Sequence, residues 1–218
     1  MGIFDPDSRF SIITNDILDY IKISLLFLLF SIPLITIVPA AAAGMKVVVK
    51  KQLGEAPAVY QPFKKGFKEN AKQGIPVSLL FWGVVLILYF DWKQILQMET
   101  GGIVTAVRVT LLLLSLLFAM VFLYIPPMMA RYRLSLKAII HNSVIYAILN
   151  FARNLLALGI LLVGFLLLTY VVPLVPLTVV AIPALMFFYM GRICTKIFVK
   201  LEGTEPNTEE TEESDSAI

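Results

Sequence analysis

The chain has 218 residues, 59% of them hydrophobic and 15% charged, whereas a soluble domain is roughly half apolar and about a quarter charged. The apolar residues come in long runs without alternation or a single-face stripe, which excludes one water-soluble core and points to segments solvated by lipid. The formal charge of +3 conceals an asymmetry, because Glu202 to Ile218 hold seven of the fifteen acidic residues and no basic one.

The first predicted span runs from about Tyr20 to Ala43, and Pro33 and Pro39 inside it predict a kink or an early helix end. A cleaved signal peptide would want a short basic leader, but Asp5, Asp7, Asp16 and Asp19 precede the apolar run, so the span is expected to stay. The second runs from about Gly74 to Phe90, completed at the interface by Asp91 and Trp92. The third covers about Ile103 to Pro126, the fourth Asn154 to Val172 and the fifth Leu174 to Phe198, each near the ~20 residues a bilayer demands. Leu134 to Arg153 carries Lys137, His141, Asn142, Ser143 and Asn150 on several sides. It is expected to form a cytoplasmic interfacial helix, with a sixth span as the costlier alternative. The expected fold is all-α, a polytopic bundle of about five spans over residues 1–201. The acidic stretch 202–218 follows as a disordered tail, too polar to offset its ordering entropy.

Lysine and arginine mark the cytoplasmic side. They crowd between spans one and two (Lys46 to Lys72), between three and four (Arg131, Arg133, Lys137, Arg153) and at the end of span five (Arg192, Lys196, Lys200). The opposite side holds only Arg9, Lys22, Lys93 and Arg108. An odd number of spans follows, with the amino terminus outside and the carboxyl terminus in the cytoplasm.

The most informative polar stretch is PFKKGFKENAKQG, Pro62 to Gly74. Phe63, Phe67 and Ala71 share a helical face while Lys64, Lys65, Lys68 and Lys72 spread over the rest, which fits a helix lying on an anionic leaflet or docking a partner. Arg131 and Arg133 add a second basic contact. Arg108, just over a turn inside the third span, is expected to snorkel to the headgroups or to pair with Asp91 in a solute pathway. Ala40 to Gly44 offers small residues for close helix approach. For catalysis the inventory is thin, since His141 and Cys194 each stand alone and no phosphate-cradling glycine loop occurs. The chain is read as a non-enzyme without cofactor or metal. Its basic residues flank spans, so nucleic-acid binding has no support.

Four blocks carry a family resemblance: GIFDPDSRF at Gly2 to Phe10, SIPLITIVPAAAA at Ser31 to Ala43, PFKKGFKENAKQ at Pro62 to Gln73 and PPMMARYRLSLKAIIHNS at Pro126 to Ser143. In order and position they resemble the YesL family of bacterial integral membrane proteins, over nearly the whole chain except the acidic tail. Arg9 stands where that family usually has proline, and Val38 where it usually has glycine. The resemblance implies residence in the bacterial cell membrane beside carbohydrate ABC importers. The expected function is a non-catalytic accessory subunit packed on the permease, with basic segments near the permease or ATPase. It is not expected to be the permease, since Arg131 to Arg153 lacks the E-A-A-x-x-x-G type loop that receives an ATPase. The alternative is a self-contained channel or small-solute transporter acting as a homo-oligomer around the broken first span. Membrane lipids are partners in either case.

Overall fold

A computed structural model of the chain describes residues 9–55, 58–170 and 175–202. The described residues form helices and short connections: α1 (Arg9–Phe30), a 3-10 turn (Leu34–Thr36), α2 (Ile37–Gln52), α3 (Tyr60–Gln97), α4 (Gly102–Arg131), α5 (Leu136–Leu149), α6 (Phe151–Tyr170) and α7 (Val175–Glu202). Most of the GIFDPDSRF block and nearly all of the acidic stretch lie outside them.

The first apolar run does not cross as one helix. After Phe30 the chain breaks at Ser31–Pro33, and α2 runs back along α1. Three contacts close the resulting hairpin at its open end. Lys51 pairs with Asp19 and, at 3.0 Å, with Asp16, and the Gln52 amide donates to the Tyr20 hydroxyl at 3.2 Å. At the tip the backbone groups freed by the break find partners, as an apolar environment demands. The Thr36 hydroxyl donates to the carbonyl of Phe30 or Pro33, both at 2.6 Å, Trp82 donates to the Leu34 carbonyl at 2.9 Å, and Ser78 accepts from the Val38 amide at 3.2 Å. Pro39 falls in the first turn of α2, where a missing donor costs nothing.

Helix α2 is the centre of the molecule. Val38 to Met45, except Ile37-side neighbour Ala41, and Val47 to Val49 are buried among α1, α3, α4 and α7. Small residues permit this packing: a Cβ at Gly74 would meet the Pro39 ring at 2.7 Å, and one at Gly66 would meet the Ala43 Cα at 3.2 Å. The close approach expected of Ala40 to Gly44 is thus present.

The basic stretch 62–74 is no separate surface helix. It is the first part of α3, whose 38 residues span about 57 Å at 1.5 Å per residue, nearly twice the ~30 Å bilayer core. A change from lysine-rich to leucine-rich composition alters the solvent a helix prefers without breaking its backbone hydrogen bonds. Pro126 and Pro127, expected to end the third span, lie inside α4, which runs on to Arg131. Helices α3 and α4 form an antiparallel hairpin, with Phe81 stacked on Phe122 at 3.9 Å and Trp92 donating to Ser115 at 3.1 Å. Leu86, Ile87, Phe90 and Leu112 to Leu114 are exposed on it, as a lipid-facing surface requires.

Helices α5 and α6 meet at 94°, with Asn150 at the corner. Asn154 holds the bend: fully buried, it accepts from the Tyr124 hydroxyl at 2.9 Å and donates to the Ala147 carbonyl at 2.8 Å. The stretch expected to form an interfacial helix, Leu134 to Arg153, thus contains α5, the 94° corner and the start of α6. Among the described residues, α3, α4 and Leu177–Lys200 of α7 are each long and apolar enough to cross a membrane. A fourth crossing results if α5 and α6 form one bent span. The expected count of about five is not confirmed: three such helices, or four with the bent pair, are found among the described residues, and the first apolar run doubles back. Asp16 and Asp19 of α1 thus lie at the end of the bundle that also holds Lys51.

Candidate functional site: a basic cleft at one end of the bundle

The charged residues of α2, α3 and α4 converge because these helices end, or begin, at the same end of the bundle. They enclose a cleft of about 860 Å³. Lys46 and Lys50 enter from α2, Glu69 and Lys72 from α3, and Arg131 and Arg133 from the end of α4 and the segment after it. Five cations thus face one carboxylate, and Glu69 is paired with Lys46. Gly66 makes room for the Lys46 stem, since a Cβ there would lie 3.2 Å from its Cδ. Lys50 bonds to Glu55 at 2.5 Å at the rim.

Uncharged contacts hold the cleft's frame. Asn70, 8% exposed, donates to the Gly66 carbonyl at 2.8 Å, and Gln73 donates to the Leu134 carbonyl at 3.0 Å, tying α3 to the segment before α5. Tyr132, on the cleft wall, packs edge-on against Phe198 near the end of α7, with ring centroids 5.3 Å apart. The carboxyl-terminal end of α7 therefore lies beside the cleft. An arrangement of this kind holds an anion through charge and hydrogen bonds. Among the described residues no group of three or more His, Cys, Asp or Glu is placed to hold a metal ion.

The structure brings together only part of the expected set. Lys72, Arg131 and Arg133 line the cleft, joined by Lys46 and Lys50, expected only as cytoplasmic charges between the first two spans, and by Glu69, which the sequence did not single out. Lys64, Lys65 and Lys68 are exposed on α3 outside it. Phe63, at 0% exposure, and the partly buried Phe67 both pack their rings on Phe30, at 5.4 and 4.8 Å. Asp91 and Arg108, expected to pair, do not meet in an ion pair. Asp91 is exposed, and the Arg108 guanidinium instead donates to the carbonyls of Ile95 at 3.1 Å and Met98 at 3.0 Å, capping the end of α3.

A second charged cluster closes the α1–α2 hairpin. Burial works against the Asp19 charge, but hydrogen bonds from Lys51 and Lys22 outweigh it and hold the carboxyl below its ordinary 3.8. Burial likewise opposes the Lys51 charge, yet Asp19 and Asp16 hold its ammonium above the ordinary 10.5.

A family model described as a protein of unknown function, DUF624, matches residues 20–92, about a third of the chain. The matched segment runs from the closing contacts of the hairpin through most of α3, and it includes Lys46, Lys50, Glu69 and Lys72 of the cleft. No curated protein and no solved structure matches the chain.

Proposed function

We propose that the chain is a non-catalytic subunit of the bacterial cell membrane whose basic cleft docks an acidic surface of a partner. In this reading α3, α4, the bent pair α5 and α6, and α7 make four crossings, with α5 flat at the cytoplasmic interface. The α1–α2 hairpin enters from the cytoplasmic side and returns, so both ends of the chain face the cytoplasm. The positive-inside tendency supports this placement, since the cleft end carries most of the lysine and arginine.

The observation that carries the reading is the cleft itself, five cations against one carboxylate at the end of an apolar bundle. The blocks that resemble the YesL family support, as that partner, the permease or ATPase of a carbohydrate importer. Isolation of the chain from its native membrane in mild detergent should bring that permease or ATPase with it. The triple substitution K72Q/R131Q/R133Q should reduce the co-eluting amount about tenfold, while the variant still elutes as a folded species. Absence of co-elution, together with sugar uptake unchanged by deletion of the chain, would overturn the proposal.

The second reading, a self-contained transporter, draws on the break between α1 and α2, a device transporters use at binding sites. Flux of a small solute into liposomes containing this chain alone would promote it.

A further inference from the structure

We propose that the acidic end of this chain, residues 203–218, folds back into the basic cleft and is its resident occupant. Three observations support the assignment. The first is charge: the cleft gathers Lys46, Lys50, Lys72, Arg131 and Arg133 around Glu69, whereas residues after Glu202 include Glu205, Glu209, Glu210, Glu212, Glu213 and Asp215 and no cation. The second is where the described chain ends. Phe198 packs on Tyr132 in the cleft wall, and α7 ends at Glu202, about 6 Å further along the helix axis.

The third is reach. Residues 203–218 extend up to about 50 Å at ~3.3 Å per residue, ample to enter a cleft that begins beside the end of α7. Because both groups belong to one chain, short tethering gives an effective concentration in the millimolar range, so weak charge pairs suffice for occupancy. Any acidic partner that uses the cleft then has to displace the tail. The inference concerns the chain alone and stands or falls apart from the importer reading.

The test couples carboxylates to amines with a water-soluble carbodiimide on the full-length chain in neutral detergent. The Lys46–Glu69 link reports a folded cleft. Within one molecule, glutamates 205–213 should couple to Lys50 and Lys72 in preference to Lys64, Lys65 and Lys68, which are exposed on the same side of the bundle but outside the cleft. The double substitution R131Q/R133Q leaves every lysine in place. It should lower tail coupling to Lys72 about fivefold while the Lys46–Glu69 link persists. Coupling should also fall steeply near 1 M salt, where the screening length is ~3 Å.

Equal coupling to the lysines inside and outside the cleft, coupling only between molecules, or indifference to R131Q/R133Q would overturn the proposal. So would coupling that is present in bilayer discs of neutral lipid but absent in discs containing anionic phospholipid, since headgroups would then hold the cleft.

Discussion

Arg108 satisfies two carbonyls that the end of α3 leaves without helical donors. Replacing it with methionine should cost about 1.5–3 kcal/mol and should appear as faster amide exchange across residues 95–102. Asn154 bridges three helices through Tyr124 and Ala147. Asn154→Leu strands a buried hydroxyl, with an expected loss of about 1–3 kcal/mol in thermal unfolding, most of it recovered by Tyr124→Phe in the same chain. Neither role was legible in the sequence. An arginine near a helix start offers the same pattern whether it reaches lipid headgroups or a neighbouring helix end, and an asparagine 30 residues from its tyrosine gives no local signal. What could be read was the cost of leaving such groups unpaired, and the structure pairs both.

At the level of elements, the hairpin and the α2–α3 contact carry the predictions. The folded Asp19 carboxyl lies below its ordinary value, so its contribution to stability is present above pH 3.8 and is lost as pH falls through the folded value. The folded Lys51 ammonium lies above its ordinary value, so its contribution is complete below pH 10.5 and is lost as pH rises through the folded value. Protease cleavage near residues 53–58 should therefore be slow through the neutral range and faster at both extremes. Gly74→Ala drives a methyl into the Pro39 ring and should lower stability by about 1–3 kcal/mol, measured by unfolding in detergent. Pro33 announced the break in the first apolar run. The return of α2 was hidden, because a helix apolar on every side has the same composition whether protein or lipid surrounds it. The unbroken α3 was hidden for a related reason: a change of solvent along the chain looked like a boundary.

At the scale of the whole molecule, lipid as the solvent was legible from composition alone, and so was the clustering of positive charge. The return of the first apolar run was not, since it turns on the long-range pairs of Lys51 with Asp16 and Asp19. Reporters fused at either end of the chain should both be active in the cytoplasm, and an external amino-terminal reporter would restore the odd-span arrangement. The cleft was half legible: Lys72, Arg131 and Arg133 stood out, but only the fold sets them around Lys46 and Lys50. The doubling back of the first apolar run also bears on biosynthesis. Under the four crossings proposed above, Asp16, Asp19 and Lys22 need not be exported ahead of the first crossing, and the polar stretch carried through the bilayer after α3 shrinks to residues 98–101. In that proposed arrangement the polypeptide is threaded in as two successive pairs, each released sideways into lipid once its second member has emerged.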